Sequence, residues 1–186
     1  ALSRVEVLTV PSGVAERACK EGAEPGCYHL NQYTHLANMN AHKKFTGPAI
    51  VRALGGAELA AVAISMGSGG TAAGVGKYLK QHYPHVKIIG VRPKLGEQVP
   101  GARDERRMEE VVTLPWREYV DEVVDVSRKD AFVGMRRLWS EVEPQPGPTS
   151  GLAYVGLTHY LRRERNLKQK FFGSRVGFIC PDDGRF

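Results

Sequence analysis

Apolar positions in this chain come in short blocks separated by polar runs, and the blocks change period along the chain. Ala60-Ala61-Val62-Ala63-Ile64-Ser65-Met66 is nearly continuous. A run of that length reads as an apolar strand. Gly67-Ser68-Gly69-Gly70-Thr71 follows at once, and Ala72, Val75 and Leu79 then recur at helical spacing up to about His82. Lys87-Ile88-Ile89-Gly90-Val91 is a second strand. Together these make a β-α-β unit, which implies a parallel sheet covered by helices.

The same reading predicts strands over 5–10, 27–30, 122–126 and 175–180. Helices are expected over 14–21, from a Thr46 cap with Pro48 in the first turn to about Leu54, and over 128–142 behind a Ser127/Asp130 capping box. A last helix opens at Thr149-Ser150-Gly151, with Ala153, Gly156, Leu157, Tyr160 and Leu161 along one face and either hydroxyl as its cap. Residues 31–38 and 93–119 read as polar loops.

A strand entering a glycine turn that opens a helix is a phosphate cradle, because backbone N–H groups converge where the helix dipole is positive. Side chains on Gly67, Gly69 or Gly70 would then block the anion, and Thr71 adds a donor. Glycines that serve tight packing alone are the plainer alternative. The lysine of a P-loop is missing. Gly67-x-Gly69-x-x-Ala72 satisfies the looser dinucleotide fingerprint, and Arg92 at the end of the next strand would suit a 2′-phosphate. An NADP-binding Rossmann domain of an oxidoreductase is therefore one reading, and a non-catalytic binding module is another.

Composition narrows the field. The 186 residues are 42% hydrophobic and 25% charged, which suits one globular domain with a sizeable core. No apolar run nears the ~20 residues of a membrane span, and no signal peptide is visible, so a cytoplasmic protein is expected. Cys19, Cys27 and Cys180 match neither a disulfide framework nor a zinc pattern and read as buried or free thiols. His82, Pro84 and His85 form a turn, and no metal site is expected. The net charge of +6 owes much to Arg162, Arg163, Arg165, Lys168 and Lys170 at a helix end, where cations complement the dipole. That arrangement does not make a nucleic-acid stripe, while a mild positive field suits an anionic cofactor or substrate.

Taken in order, Gln32-Tyr33, Ala37-Asn38, His42, Thr46-Gly47-Pro48 and Gly67 to Gly76 resemble the cysteine synthase group. So do Val91-Arg92-Pro93, Asp121-Glu122-Val123-Val124, Gly147-Pro148-Thr149-Ser150-Gly151 and Pro181-Asp182-Asp183-Gly184. These are fold-type II pyridoxal-phosphate enzymes, namely O-acetylserine or O-phosphoserine sulfhydrylases and cystathionine β-synthases. The resemblance implies an α/β, three-layer, mostly parallel sheet with helices on both faces, like the tryptophan synthase β chain. It implies pyridoxal 5′-phosphate as cofactor, bound by Gly67, Ser68, Gly69, Gly70 and Thr71 at its phosphate. Thr149 matches the hydroxyl on the pyridine nitrogen, with Ser150 the alternative. Gln32 and Tyr33 match the substrate side, and Asp182 and Asp183 match a closing loop near the ring. The implied chemistry is β-replacement on an activated serine by sulfide, in a homodimer.

Two features depart from the family. Arg92 stands where an acid is usual, and Arg103, Asp104 and Arg106, with Arg107 next in the chain, stand where the family often has a glycine-rich segment. Arginines there would fit a phosphorylated substrate, so the reading leans towards O-phosphoserine over O-acetylserine, with Arg103 on the substrate side. No lysine stands in the context of the family's Schiff-base lysine, which makes the expected catalytic set empty. The chain is accordingly expected to be a fragment, with 1–30 a remnant of the small N-terminal domain and 31–186 the large phosphate-binding domain. Such a piece would be inactive until the missing N-terminal part is supplied. Gly69→Val is expected to abolish phosphate binding and leave the fold largely intact.

Overall fold

The computed structural model describes residues 14–163 and 173–184. Four strands form one parallel sheet: β1 (Leu59–Ser65), β2 (Lys87–Pro93), β3 (Glu122–Val126) and β4 (Arg175–Phe178), in the order β3-β2-β1-β4. Ala63 of β1 pairs with Ile89 of β2 on one side and with Phe178 of β4 on the other. Successive side chains of a strand face opposite ways, and β1 uses both faces. Leu59, Val62 and Ile64 join one buried cluster with Ala72, Val75 and Leu79 of helix α4 (Gly70–His82). Ala61 and Ala63 join a second cluster with Leu152, Leu157 and Tyr160 of helix α7 (Pro148–Arg163). Helix α6 (Arg128–Leu138) packs alongside α7 and adds Ala131 to that cluster. Helices thus cover both faces of a parallel sheet, the three-layer α/β architecture that the resemblance implies.

The chain divides into two compact units, residues 1–31 and 32–186. In the first, helix α1 (Val14–Gly22) carries an Arg17–Glu21 ion pair one turn apart, and Cys19 Sγ lies 3.4 Å from His29 Nδ1. The strand expected over 27–30 does not form: Tyr28 and Leu30 are exposed, so no face of that segment is buried to stabilise one. The strand expected over 5–10 lies outside the described residues, as do Arg165, Lys168 and Lys170.

In the second unit, two segments read as loops contain helices. Helix α2 (Leu36–Ala41) starts at His35, whose imidazole accepts from Ala37 N at 3.1 Å, and it buries only Met39. It runs through a π-helical turn at His42–Thr46 into α3 (Gly47–Leu54). Thr46 is therefore inside a continuous helical path and makes no capping bond. Helix α5 (Glu105–Val111) lies within the expected 93–119 loop, capped by Asp104 through Arg107 N at 2.9 Å and burying only Met108. The Ser127/Asp130 cap is present, with Asp130 N donating to Ser127 Oγ at 3.0 Å.

Candidate functional site

The end of β1 is tied down before the glycines begin. Met66 N donates to Val91 O at 2.8 Å, and Met66 O accepts from Arg103 N at 2.9 Å. The loop then turns at Gly69, whose φ of 76° is left-handed, and enters α4. Among the described residues the amides of Ser68, Gly69 and Thr71 donate to no protein acceptor. They sit at the N-terminus of a 13-residue helix, so unspent donors and the dipole coincide. Ser68 Oγ is held by Asn38 Nδ2 at 3.0 Å and by Gly70 N at 3.3 Å. Asn38 Nδ2 also donates to Gln32 O at 2.7 Å, which fixes the amide.

Thr71 is set by a relay. Its Oγ1 lies 3.1 Å from His42 Nε2, and His42 Nδ1 lies 2.9 Å from Thr46 Oγ1. Burial pushes the His42 pKa below the ordinary histidine value, so the ring is neutral at pH 7, with one nitrogen a donor and the other an acceptor. Asn38 and His42 belong to the motifs of the resemblance, but their contacts to the cradle are additions of the structure. The His42–Thr46 spacing of four, one helical turn, is the signal that could have found the relay.

The glycines act differently from the sequence expectation. A Cβ on Gly67 would lie 2.5 Å from Gly101 O, one on Gly69 would lie 3.0 Å from Trp116 Cδ1, and one on Gly70 would run into the Asn38 amide. Each faces neighbouring protein, so the glycines serve close packing and backbone conformation, and the amides they carry are what an anion would meet.

The start of α7 lies beside the cradle through Gly101, where a Cβ would come 3.1 Å from Thr149 Cγ2 and next to which Gly67 packs. Neither hydroxyl caps this helix, which begins one residue earlier, at Pro148. Asp182 serves its N-terminus: its carboxylate accepts from Thr149 N at 2.8 Å, Ser150 N at 3.0 Å and Ser150 Oγ at 2.6 Å. Ser150 is fully buried, while Thr149 Oγ1 makes no hydrogen bond among the described residues. Asp183 forms an isolated antiparallel bridge with Pro146. Although Cys180 is exposed, partial desolvation of its sulfur and the nearby Asp182 carboxylate push the thiol pKa up, against a hydrogen bond to Ser150 that pulls the other way. Cys19, Cys27 and Cys180 are all free and exposed, so none is a buried thiol.

Gln32 and Tyr33 adjoin one another, with Gln32 Nε2 3.4 Å from Tyr33 Oη. The Arg103 guanidinium stacks 4.5 Å from the centre of the Tyr33 ring and donates to its hydroxyl. Thr113 N donates to Tyr33 O at 3.1 Å, holding that residue in place. Arg92, in contrast, is not available to a nucleotide. It is buried, with Nε 2.7 Å from Asp125 Oδ1 and Nη2 2.9 Å from Glu105 Oε1. Burial alone would lower its pKa, and these two carboxylates outweigh that and raise it. The 2′-phosphate role that motivated the NADP reading falls with this pairing. Among the described residues no group of three or more His, Cys, Asp or Glu side chains could hold a metal ion. No helix there is long and apolar enough to cross a membrane.

The sequence pattern of the family described as "Pyridoxal-phosphate dependent enzyme" matches residues 4–182. The chain is 35% identical over 158 residues to cysteine synthase B of Pseudomonas aeruginosa, covering 84% of this chain and 50% of that protein. It is 34% identical over 148 residues to a probable cysteine synthase of Bacillus subtilis, covering 74% and 47%. Cysteine synthase from Entamoeba histolytica superposes with a TM-score of 0.76 at 26% identity, covering 92% of this chain and 51% of that one. The O-acetylserine dependent cystathionine β-synthase of Helicobacter pylori gives 0.74 at 26%, covering 91% and 55%. The chain spans about half the length of the curated relatives it matches.

Proposed function

The chain belongs to the pyridoxal-phosphate dependent enzymes, and from that premise we propose that it supplies the phosphate cradle and ring contact of a cysteine synthase-type enzyme. The observation that carries this is the donor set at α4: the unspent amides of Ser68, Gly69 and Thr71, with the Thr71 hydroxyl beside them. That set suits an acceptor-only dianion. Thr149 offers an unspent hydroxyl to the pyridine nitrogen from the start of α7. When bound, the cofactor supplies the electron sink for loss of a leaving group from the β-carbon of an activated serine and its replacement by sulfide. The chain's own part is to bind the phosphate, orient the ring and line the substrate side with Gln32, Tyr33 and Arg103. We lean towards O-phosphoserine as the activated serine, because Arg103 offers its guanidinium there.

We further propose that the lysine that would hold the cofactor and move the α-proton lies outside these residues. Lys80 and Lys87 are spent on Asp121, while the ammonium of Lys44 lies over the Phe45 ring and that of Lys77 over the Tyr119 ring. Among the described residues none of these four ammonium groups has a hydrogen bond or ion pair to the cradle. The remnant reading of 1–30, a homodimeric holoenzyme and a cytoplasmic setting belong to the same proposal. Three free thiols suit a reducing compartment.

The test is titration of the chain with pyridoxal phosphate, borohydride reduction and peptide mapping. Reversible binding without a pyridoxyl-lysine in this chain, and cysteine synthesis only after an N-terminal piece bearing a lysine is added, are the expected results. A pyridoxyl group on a lysine of this chain together with turnover would overturn the division of labour. NADPH binding without pyridoxal phosphate binding would overturn the cofactor.

A further inference from the structure

We propose that Asp182 is the positioning residue that selects Thr149, and not Ser150, to meet the pyridine nitrogen; this rests on the reading of α7 as the ring contact. Two adjacent hydroxyls open α7, and either has the chemistry to donate to an unprotonated ring nitrogen. Asp182 removes one of them, since Ser150 Oγ donates to its Oδ1 at 2.6 Å. The same carboxylate takes Thr149 N at 2.8 Å and Ser150 N at 3.0 Å, two of the amides that a helix start leaves unpaired. Thr149 is thereby held through its backbone with its own Oγ1 unspent.

The arrangement also keeps an acid away from the ring. A carboxylate so close to the nitrogen contact could otherwise approach the ring and stabilise its protonated form. Both oxygens of Asp182 are occupied by α7, and its negative charge is balanced against the positive end of that helix. Thr149, a neutral hydroxyl, is left as the donor. A weaker electron sink suits replacement at the β-carbon.

The segment around Asp182 is built to stay put. Asp182 O accepts from Gly147 N at 3.1 Å, Asp183 bridges Pro146, and Gly184 N donates to Gln145 O at 2.7 Å. Pro146 O in turn accepts from Trp139 Nε1 at 2.9 Å. Gly147 lacks a side chain where a Cβ would lie 2.5 Å from Asp182 Cγ, so any larger residue displaces the carboxylate.

The experiment measures two affinities of the full chain, for 4′-deoxypyridoxine 5′-phosphate, which carries ring and phosphate without an aldehyde, and for inorganic phosphate. Thr149→Val and Asp182→Asn should each weaken the analogue about tenfold, the value of one hydrogen bond, and shift its pyridine emission. Phosphate affinity should stay within about twofold in both, and Ser150→Ala should leave both affinities within about twofold. Gly147→Ala displaces the carboxylate without removing its charge and should match Asp182→Asn, which covers the case in which that variant does not fold. Equal weakening of phosphate and analogue in the Asp182 and Gly147 variants would assign Asp182 a general structural role and overturn the proposal. Unchanged analogue binding in both, beside a weakened Thr149→Val, would also overturn it. A weakened Ser150→Ala with an unaffected Thr149→Val would overturn the Thr149 reading itself.

Discussion

The Thr71 hydroxyl and the His42 imidazole meet at 3.1 Å, joining the first turn of the cradle helix to the π-helical turn that precedes α3. A bound anion only accepts hydrogen bonds, so it selects one direction along the relay. Thr46 donates to His42 Nδ1, His42 Nε2–H donates to Thr71, and the Thr71 hydroxyl is left to face the anion. His42→Phe should therefore lower phosphate affinity about tenfold, as expected for one misdirected hydrogen bond. Equilibrium dialysis against labelled phosphate checks it.

The same histidine sets a pH dependence. Burial holds its folded pKa below the ordinary value near 6.5, so the folded state takes up its proton later than the unfolded state as pH falls. The stability it permits is present above about pH 6.5 and is lost progressively below it, towards the lowered folded value. Melting curves from pH 7.5 to 5 should show a steeper loss for the native chain than for His42→Gln.

Gly69 is expected to matter for folding as much as for binding. Its φ of 76° costs a side chain about 1–2 kcal/mol, and a Cβ there lies 3.0 Å from Trp116 Cδ1. Gly69→Ala should lower the melting temperature by about 3–5 °C in a chain of this size. Gly69→Val should lower it further. A Val variant that kept the native melting temperature and lost only phosphate binding would restore the view that the missing side chain simply makes room for the anion.

How far the sequence reached depended on how strongly each element is patterned. β1 and β2 were legible because each is a nearly continuous buried apolar run, and α4 because Ala72, Val75 and Leu79 recur at helical spacing. α2 and α5 were not, because each is six or seven residues long and buries one side chain, Met39 or Met108. With a single buried residue there is no period to read, and the caps, His35 for one helix and a buried Asp104 for the other, gain meaning only from contacts. The cradle was legible as Gly67 to Thr71, since strand, glycines and helix are contiguous. The role of Asp182 was not, because it acts across 32 and 33 residues of chain on Ser150 and Thr149. Arg92 misled for a related reason: its partners Asp125 and Glu105 come from β3 and α5, and no local pattern announces them.

Asp121 ties α4 to the sheet. Its carboxylate lies 2.6 Å from Lys80 Nζ and 3.3 Å from Lys87 Nζ, and accepts from Ile88 N at 2.8 Å. Burial would raise its pKa, but the Ile88 amide and the two lysines outweigh that and lower it. Its contribution to stability is therefore present above the unfolded value near 4 and is lost as pH falls through the lower folded value. With the group partly exposed, Asp121→Asn should cost about 1 kcal/mol at pH 7, or about 2–4 °C in melting temperature. The difference from the native chain should close as pH falls below the lowered folded value, and a gap of constant size throughout the acid range would show that charge plays no part.

Arg103 is where the substrate preference can be tested. Of the three arginines that suggested a phosphorylated substrate, Arg106 is exposed and lies 3.9 Å from Glu110. The backbone amide of Arg107 caps on Asp104. Arg103 alone is stacked on Tyr33 and bonded to its hydroxyl, which fixes the guanidinium without neutralising it. No carboxylate pairs with it among the described residues. A guanidinium held in that way can give paired hydrogen bonds to a phosphate, worth about 1.5–3 kcal/mol, and has much less to offer an acetyl ester. In the complete enzyme, Arg103→Ala should therefore cut kcat/KM for O-phosphoserine by about 10- to 100-fold and that for O-acetylserine by less than about threefold. Tyr33→Phe keeps the stacking and frees the guanidinium of one bond, so it should change the ratio between the two esters far less. Steady-state rates on both esters decide the matter. Equal losses on the two, or no loss on either, would take Arg103 out of substrate selection and leave it as the residue that holds Tyr33 against the loop after β1.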